Sequence, residues 1–452
     1  MRKAFGDPWL WVGCALYAIA LTWLGWVKYE THHNLVDFGI FAQTAASAFG
    51  CFCNGPEGSH WAFHFSPILY VPGALLLIWK SPLVMIALPA IACALAAPPV
   101  YAIVRTRTDV ATARLAGSVA LLYPPLAGLA FVDFHENAFA PAAIAWLLWA
   151  FDAGYLGFAA IAAMIALAVK EDQAIFLTVA GGAGAWLYRT DKRRSRFALG
   201  VAIAGVAVVV AFFAFIQPHA NRSPDWQPNR FYAWAGDDVH GLFSSGIVQR
   251  LGFFALAFAP LAFVPFRSKW MWLAALPLAE VLLSRMSTTF TMGTHYAGAW
   301  AGYVLIAFAF GVAAFPKPRR ALWWALGLTV AVFAAANPLH PGLNLRAVQD
   351  RDRALDVFLS GVPVTKSFST QEEAYTHFAL QDNSVTVFPD DPAARLDGCG
   401  MLVDRDFPDS PRLMEYGPAI DRLARLREGG SAPYPLVRKA GRIEFYNAPC
   451  KT

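Results

Sequence analysis

Five short stretches of this chain place side chains able to do chemistry where apolar segments end. They are Asp37 in VDFGIFAQ, His64 in HFSP, Asp133, His135 and Glu136 in VDFHEN, Lys170, Glu171 and Asp172 in VKEDQ, and His295-Tyr296 in THY. A carboxylate in such a place acts as a general base on a hydroxyl or holds a divalent cation such as Mg or Mn. A histidine relays a proton or grips a phosphate, and a lysine neutralises an anion. Arg222, Arg230 and Arg285, in polar loops, suit bidentate contacts to an anionic head group. Each residue also has a plainer role. Asp37 suits a first-turn carboxylate favoured by the helix dipole. His64 stands just before Ser66-Pro67, an ordinary helix start. DFHEN reads equally as a solvated turn, KEDQ as a self-compensated charge cluster, and the arginines as solvated surface. No GxxxxGK[ST], GxGxxG or HExxH pattern occurs, which argues against a nucleotide-driven machine and a zincin-type metal site.

The elements that position these residues are membrane segments. Of 452 residues, 57% are hydrophobic and only 15% charged, against about 25% charged in soluble proteins. Basic residues fall in short loops between apolar runs: Arg2-Lys3, RTRTDVATAR, RTDKRRSR, RSK and KPRR. That is the positive-inside pattern and excludes a nucleic-acid stripe. With the N-terminus cytoplasmic, the acid and histidine motifs all fall on the outer face. A charged group at a membrane boundary calls for a partner or a function, since burial in lipid costs about 2.5–3.5 kcal/mol or more. The sequence predicts about 11 transmembrane helices. Among them are Leu83–Val104, Leu115–Val132, Phe197–Ile216, Ile247–Phe266, Trp270–Leu283 and Tyr296–Phe315. Pro67–Trp79 is too short to cross a core of about 30 Å and reads as a re-entrant or juxtamembrane helix. Asn34–Phe49 reads as an amphipathic helix, with Phe38, Ile40, Phe41 and Ala45 on the membrane surface and Asp37 and Gln43 aimed inward.

Residues 340–452 change character. Short apolar runs at Val362–Phe368, Ser384–Phe388, Met401–Asp404, Leu436–Lys439 and Ile443–Tyr446 alternate with amphipathic stretches at Thr370–Ala379 and Arg412–Arg427. Strands interleaved with helices predict a small α/β domain, with Ala440-Gly441 as a hairpin turn. The division is therefore a transmembrane domain over 1–339, with a first outer loop at 28–82, and an extracytoplasmic α/β domain over 340–452. Cys14 and Cys93 lie inside apolar helices. Cys51/Cys53 and Cys399/Cys450 lie where disulfides can form, and CFC alternatively suits a metal.

Taken together, DFGIFAQ, HFSPI, YPPL…DFHENAFAP, AVKEDQAI, the later HY helix and STQEEAYTHFAL…VTVFP resemble the domain-of-unknown-function 2079 family of bacterial and archaeal membrane proteins. That family is similar to the C-type (GT-C) membrane glycosyltransferases, which carry an acidic residue in the first outer loop and use a polyprenyl-phosphate sugar as donor. The resemblance implies a GT-C-like α-helical polytopic fold, Asp37 at the position of the acidic catalytic residue, and Pro67–Trp79 as the juxtamembrane element. A single Asp stands at that loop where many members pair acids, so a cation on Asp37 stays an open alternative.

The expectation is then a glycosyltransferase of the bacterial inner (plasma) membrane serving the cell envelope. It would move a sugar from a polyprenyl-phosphate donor, delivered from the lipid bilayer, to a glycan, lipid or protein acceptor at the outer face. Asp37, Glu171 and Glu136 are the candidate catalytic carboxylates. His64, Asp133, His135, Lys170, Asp172, Arg222, Arg230, Arg285, His295 and Tyr296 are the candidate substrate contacts. The rival readings are a transporter or flippase of a lipid-linked or anionic substrate, which should show repeats and broken helices near the midplane, and a non-catalytic subunit of an envelope-glycan assembly system.

Overall fold

The computed structural model describes residues 5–220, 231–232, 246–339, 346–362, 367–381, 384–388, 400–406 and 435–447. Arg222, Arg230, Cys399, Cys450 and the Arg412–Arg427 stretch lie outside them. The described chain is mostly helical. Its helices are α1 (Pro8–Glu30), α2 (Val36–Ala46), α3 (Tyr70–Ile78), α4 (Pro82–Ala94), α5 (Ala97–Arg107), α6 (Val110–Leu121), α7 (Pro124–Phe131), α8 (Ala140–Ala153), α9 (Leu156–Leu167), α10 (Glu171–Leu187), α11 (Lys192–Val210), α12 (Ile247–Phe258), α13 (Ala275–Leu282), α14 (Ala297–Ala313), α15 (Pro318–Ala335), α16 (Asp350–Ser360) and α17 (Glu372–Phe378). Among the described residues, three helices are long and apolar enough to cross a membrane: Pro8–Glu30, Pro82–Arg107 and Lys192–Ala220. A fourth is counted when α6 and α7, bent by 44°, are taken as one span. The bend falls at Pro124-Pro125, whose rings cannot continue the α6 hydrogen-bond ladder. Shorter apolar helices include Pro67–Ile78, Leu156–Leu167, Ile247–Leu261 and Ala297–Ala313.

The chain divides into two compact units. The first comprises Met1–Trp23, Trp61–Ile68 and Ile86–Pro341. At its centre runs α14, buried along nearly its whole length, with Trp300 and Tyr303 fully enclosed. α1 turns Trp9, Val12, Leu16 and Ile19 outward, and α9 does the same with Ile161 and Met164. Such faces suit lipid rather than water. Gly154, at φ 80°, closes α8 in the left-handed conformation and turns the chain into α9.

The basic loops of this unit meet one another. Arg114 pairs with Asp7 at 2.8 Å, Arg107 with Asp152 at 2.6 Å and Arg319 with Asp109 at 2.7 Å. The Arg194 guanidinium donates to the Asp152 carbonyl at 2.8 Å. Exposed pairs of this kind add at most about 1 kcal/mol each, so their value is geometric. They gather the turns before α1, α6, α9, α11 and α15 at one end of the unit.

Two segments depart from the expected continuous spans. The Ile247–Phe266 stretch is helical only to Phe258, after which Ala262 and Phe263 take left-handed angles between 3-10 turns. The Trp270–Leu283 stretch begins as a 3-10 helix over Lys269–Ala274 and becomes α-helical only in α13.

The second unit comprises Leu24–His60, Leu69–Met85 and Gly342–Thr452. Its sheet has the order β4-β3-β5-β7-β6, with β3 (Phe368–Thr370), β4 (Val385–Val387), β5 (Gly400–Asp404), β6 (Leu436–Ala440) and β7 (Ile443–Asn447). β3 runs parallel to β4 and β5, while β7 is antiparallel to β5 and β6. Gly441, at φ 58°, opens the hairpin between β6 and β7. The expected α/β arrangement of this region is present.

α2 packs into the core of the second unit. Ile40 joins Leu355, Phe358, Phe368, Tyr375, Val385, Leu402 and Phe445 in one apolar cluster. The membrane-surface placement expected for α2 is corrected here: Phe38, Ile40, Phe41 and Ala45 are all buried, Phe38 against Tyr29, Ile40 in the cluster with the sheet and α17, Phe41 against His60 and Ala45 beside Gly73 of α3. Gly39 permits this, since a Cβ there would run into the Tyr375 ring. One turn further on, the Gln43 side-chain carbonyl accepts from Tyr375 Oη at 2.6 Å and from Gly55 N at 2.8 Å, and its amide donates to Val385 O at 2.9 Å. Cys51 and Cys53 are joined by a disulfide, so CFC offers no thiolates to a metal.

Candidate functional site

The acid and histidine motifs of the first unit come together at the helix ends remote from the basic loops. α8 leads from the Glu136 turn to Asp152, α9 returns towards Lys170, α10 leaves from Glu171 towards Asp191, and α14 leads from just after His295 towards Lys317. At 1.5 Å per residue these helices separate the two ends by roughly 18–26 Å.

Lys170 is the residue before α10, and Glu171 and Asp172 fill its first turn, where the helix dipole favours carboxylates. Glu171 reaches back to the 61–68 segment. Its carboxylate accepts from Phe65 N at 2.9 Å and contacts His64 Nδ1 at 2.9 Å. Both oxygens are engaged, so the imidazole is held with Nδ1 toward the acid and Nε2 turned away.

Glu136 is wholly buried, in the 3-10 turn Glu136–Phe139. Its carboxylate lies 2.9 Å from His135 Nδ1 and 4.0 Å from Lys170 Nζ. His135 Nδ1 also lies 3.3 Å from Asn137 N. Nδ1 accepts the Asn137 N–H hydrogen bond, and its approach to the Glu136 carboxylate is an electrostatic contact. The His135 ring stacks on His295 with centroids 3.8 Å apart and planes at 11°, and His295 contacts Tyr296 at 4.1 Å. Asp133 is buried in the same loop.

Accessibility separates two layers. Glu136 is 0% and His135 7% exposed, whereas Lys170 is 12%, Glu171 13% and His64 26% exposed. His64 and Lys170 therefore present polar tips to whatever enters, while Glu136 and His135 anchor from behind.

These groups lie in the connections between helices. Burial and the Lys170 ammonium oppose protonation of His64, but Glu171 outweighs them and raises the imidazole above its ordinary value of 6.5. Burial works against the Glu136 anion, but the cations around it hold the carboxyl below its usual range. Burial likewise opposes the Lys170 charge, and Glu136, Asp172 and Glu171 overcome it and raise the amine. Burial, reinforced by His135 and Lys170, drives His295 well below its usual range and keeps it neutral. The result is an anchored ammonium beside an oriented imidazole, a pair suited to an anion with exchangeable protons.

The other sequence candidates fall elsewhere. Asp37 stands half-buried in the first turn of α2, in the second unit. Arg285 is exposed after α13, its amide donating to Phe231 O at 2.9 Å. Glu280 was not foreseen from the sequence. It lies on α13 within the electrostatic reach of Asp172, Lys170 and Glu171. Its signal was a lone carboxylate in the apolar run LPLAEVLL. The described residues whose histidine and acid ligand atoms gather within 4.8 Å are His32, Asp356 and His377, in the second unit. Asp37 is not among them.

A comparison with curated protein sequences finds no match. Among solved structures, the chain is similar to ArnT from Cupriavidus metallidurans bound to undecaprenyl phosphate, at 11% identity and TM-score 0.56 over 96% of this chain and 97% of that one. The apo state of the same protein matches at 11% identity and TM-score 0.51 over 96% and 98%. The apo oligosaccharyltransferase of Archaeoglobus fulgidus aligns at 14% identity and TM-score 0.40 over 86% and 65%. The likeness to ArnT is one of fold, a mostly helical part with a small sheet domain. The family model described as predicted membrane protein (DUF2079) matches residues 32–341, and the chain belongs to that family.

Proposed function

We propose that the chain is a membrane glycosyltransferase. It moves a sugar from a polyprenyl-phosphate donor to a glycan, lipid or protein acceptor at the extracytoplasmic face of a bacterial inner membrane. The observation that carries this reading is the partly open His64–Lys170 pair, backed by Glu171 and Glu136, at the helix ends remote from the basic loops. Two cationic or proton-donating tips held by buried acids suit a phosphate at a membrane boundary. The likeness to a protein solved with undecaprenyl phosphate supports the same ligand class.

In this reaction an acceptor hydroxyl attacks the anomeric carbon of the sugar. The bond from that carbon to the phosphate oxygen breaks, and polyprenyl phosphate leaves. Lys170 sits where charge grows on the leaving phosphate, and His64 donates from Nε2. Preorganised positive charge of this kind stabilises the transition state more than the ground state. Glu171 orients His64, and Glu136 with His135 fixes Lys170. The family resemblance gives Asp37 the role of acidic catalytic residue, and its variant is assayed on its own. Residues 1–339 carry the chemistry and 340–452 form the extracytoplasmic domain. No step is routed through a cation on Asp37.

The test is a transfer assay on purified protein in detergent with a panel of radiolabelled polyprenyl-phosphate sugars and acceptor extracts. Wild type is compared with His64→Ala, Lys170→Met and Asp37→Asn. Loss of turnover by about 10²–10⁴-fold in His64→Ala and Asp37→Asn supports the assignment. Wild-type turnover in all three variants removes it. Donor binding without turnover in any arm favours the transporter reading.

A further inference from the structure

A second cluster of ligating side chains lies within the second unit, built by three separate elements. His32 follows the end of α1, Asp356 is on α16 and His377 is on α17. His32 Nε2 lies 3.1 Å and His377 Nδ1 lies 3.7 Å from the same oxygen, Asp356 Oδ1. The two imidazoles stack with centroids 4.1 Å apart and planes at 19°.

The opposite ring nitrogens are also placed. His377 Nε2 lies 3.2 Å from the Tyr29 carbonyl, so the proton sits on Nε2 and Nδ1 keeps its lone pair toward Asp356. His32 Nδ1 faces Asp352 Oδ1 at 3.9 Å, which leaves Nε2 toward the same carboxylate. Asp352 is itself fixed by an ion pair with Arg346. A histidine whose far nitrogen meets a carbonyl or carboxylate while its near nitrogen faces the other ligand atoms is the arrangement found behind metal-bound imidazoles. His32 also takes a left-handed backbone, φ 58°, which a side chain rarely adopts.

We propose that His32 Nε2, His377 Nδ1 and Asp356 Oδ1 hold a single Zn2+-class ion that pins the segment after α1 to α16 and α17. Two imidazoles and one carboxylate are a donor set that zinc accepts. Tetrahedral bonds of about 2.0–2.1 Å place ligand atoms roughly 3.3 Å apart. The two nitrogens now lie 3.1 and 3.7 Å from Asp356 Oδ1 and all three atoms within 4.8 Å, and loading would turn the rings out of their stack so that both lone pairs meet the ion. Asp356, with 44% of its side chain exposed, leaves an entry path and room for water in the remaining position. The site is separate from the His64–Lys170 pair, and the chemistry proposed there does not depend on it.

Full-length protein in detergent is stripped with chelator, equilibrated with Zn2+ alone, and its zinc counted by mass spectrometry alongside thermal unfolding. About one zinc per chain is expected, with a rise in Tm on loading. Asp356→Asn should weaken zinc binding at least tenfold and abolish the Tm rise. Its half-exposed side chain makes it the variant least dependent on core packing. His377→Gln should behave likewise, and the exposed-histidine control His219→Gln should bind as wild type. Absence of zinc in the wild type overturns the proposal. So does zinc retained in Asp356→Asn, or zinc lost on His64→Gln but kept in Asp356→Asn.

Discussion

At the scale of single residues, the most consequential feature is the buried acid Glu136 beside the Lys170 ammonium. Removing one member of a buried pair leaves an uncompensated charge and costs about 3–5 kcal/mol. Lys170→Met should therefore lower the unfolding midpoint strongly, and Lys170→Met combined with Glu136→Gln should restore much of the loss. A double-mutant cycle on thermal unfolding in detergent measures the difference, and equal midpoints for the single and double variants would refute the pairing. His64 offers a pH signature. Its imidazole is raised above 6.5 by Glu171 in the folded protein. The stabilisation is fully present below about 6.5, where the unfolded imidazole is also charged, and is lost as pH rises through the raised folded value. A plot of Tm against pH should fall across that window in wild type, and the fall should be smaller in His64→Gln.

At the scale of elements, α2 shows why one motif carries two jobs. In VDFGIFAQ, Gly39 and Gln43 are four residues apart and share a helix face, and that face docks Tyr375 and the β4 edge. Gly39→Ala should cost about 1–3 kcal/mol through overpacking against the Tyr375 ring. Limited proteolysis should then release the 346–447 region faster than in wild type, and Tyr375→Ala should relieve part of the effect. The sequence made the strands of this region legible through their alternating patterns and turn residues. It also made the VDFHEN and VKEDQ motifs legible as a pair, through charges at the ends of apolar runs. It did not reveal that Phe38 and Phe41 face a protein core, because an apolar stripe reads the same against lipid or against a sheet. Nor did it reveal the His32–His377 stack, whose members lie far apart in the chain and meet only through the fold. The breaks at Pro124-Pro125 and at Ala262-Phe263 were hidden for a related reason: hydropathy records length and apolarity, not hydrogen-bond continuity.

At the scale of the whole molecule, the charge pattern makes a topological prediction. Cysteines replacing Asp37 and Glu171 should be labelled by an impermeant maleimide from outside intact spheroplasts, whereas a cysteine replacing Arg193 should react only after permeabilisation. Labelling of positions 37 and 171 from different sides would break the common outer-face assignment. The short helices α8 and α9 carry a further consequence. They have 14 and 12 residues and so reach only about 18–21 Å. Lipid-facing Ile161 and Met164 on α9 leave acyl chains nothing longer to match. A bilayer core of about 30 Å must thin beside this pair, at a modest cost per ångström. Hydrophobic mismatch thus draws the lipid headgroup plane down toward Lys170, at the head of α10. The protein would then dimple its own membrane and shorten the path by which a long-chain phosphate reaches the imidazole. Reconstitution into thicker bilayers should steepen that dimple and slow the proposed transfer without touching a single residue.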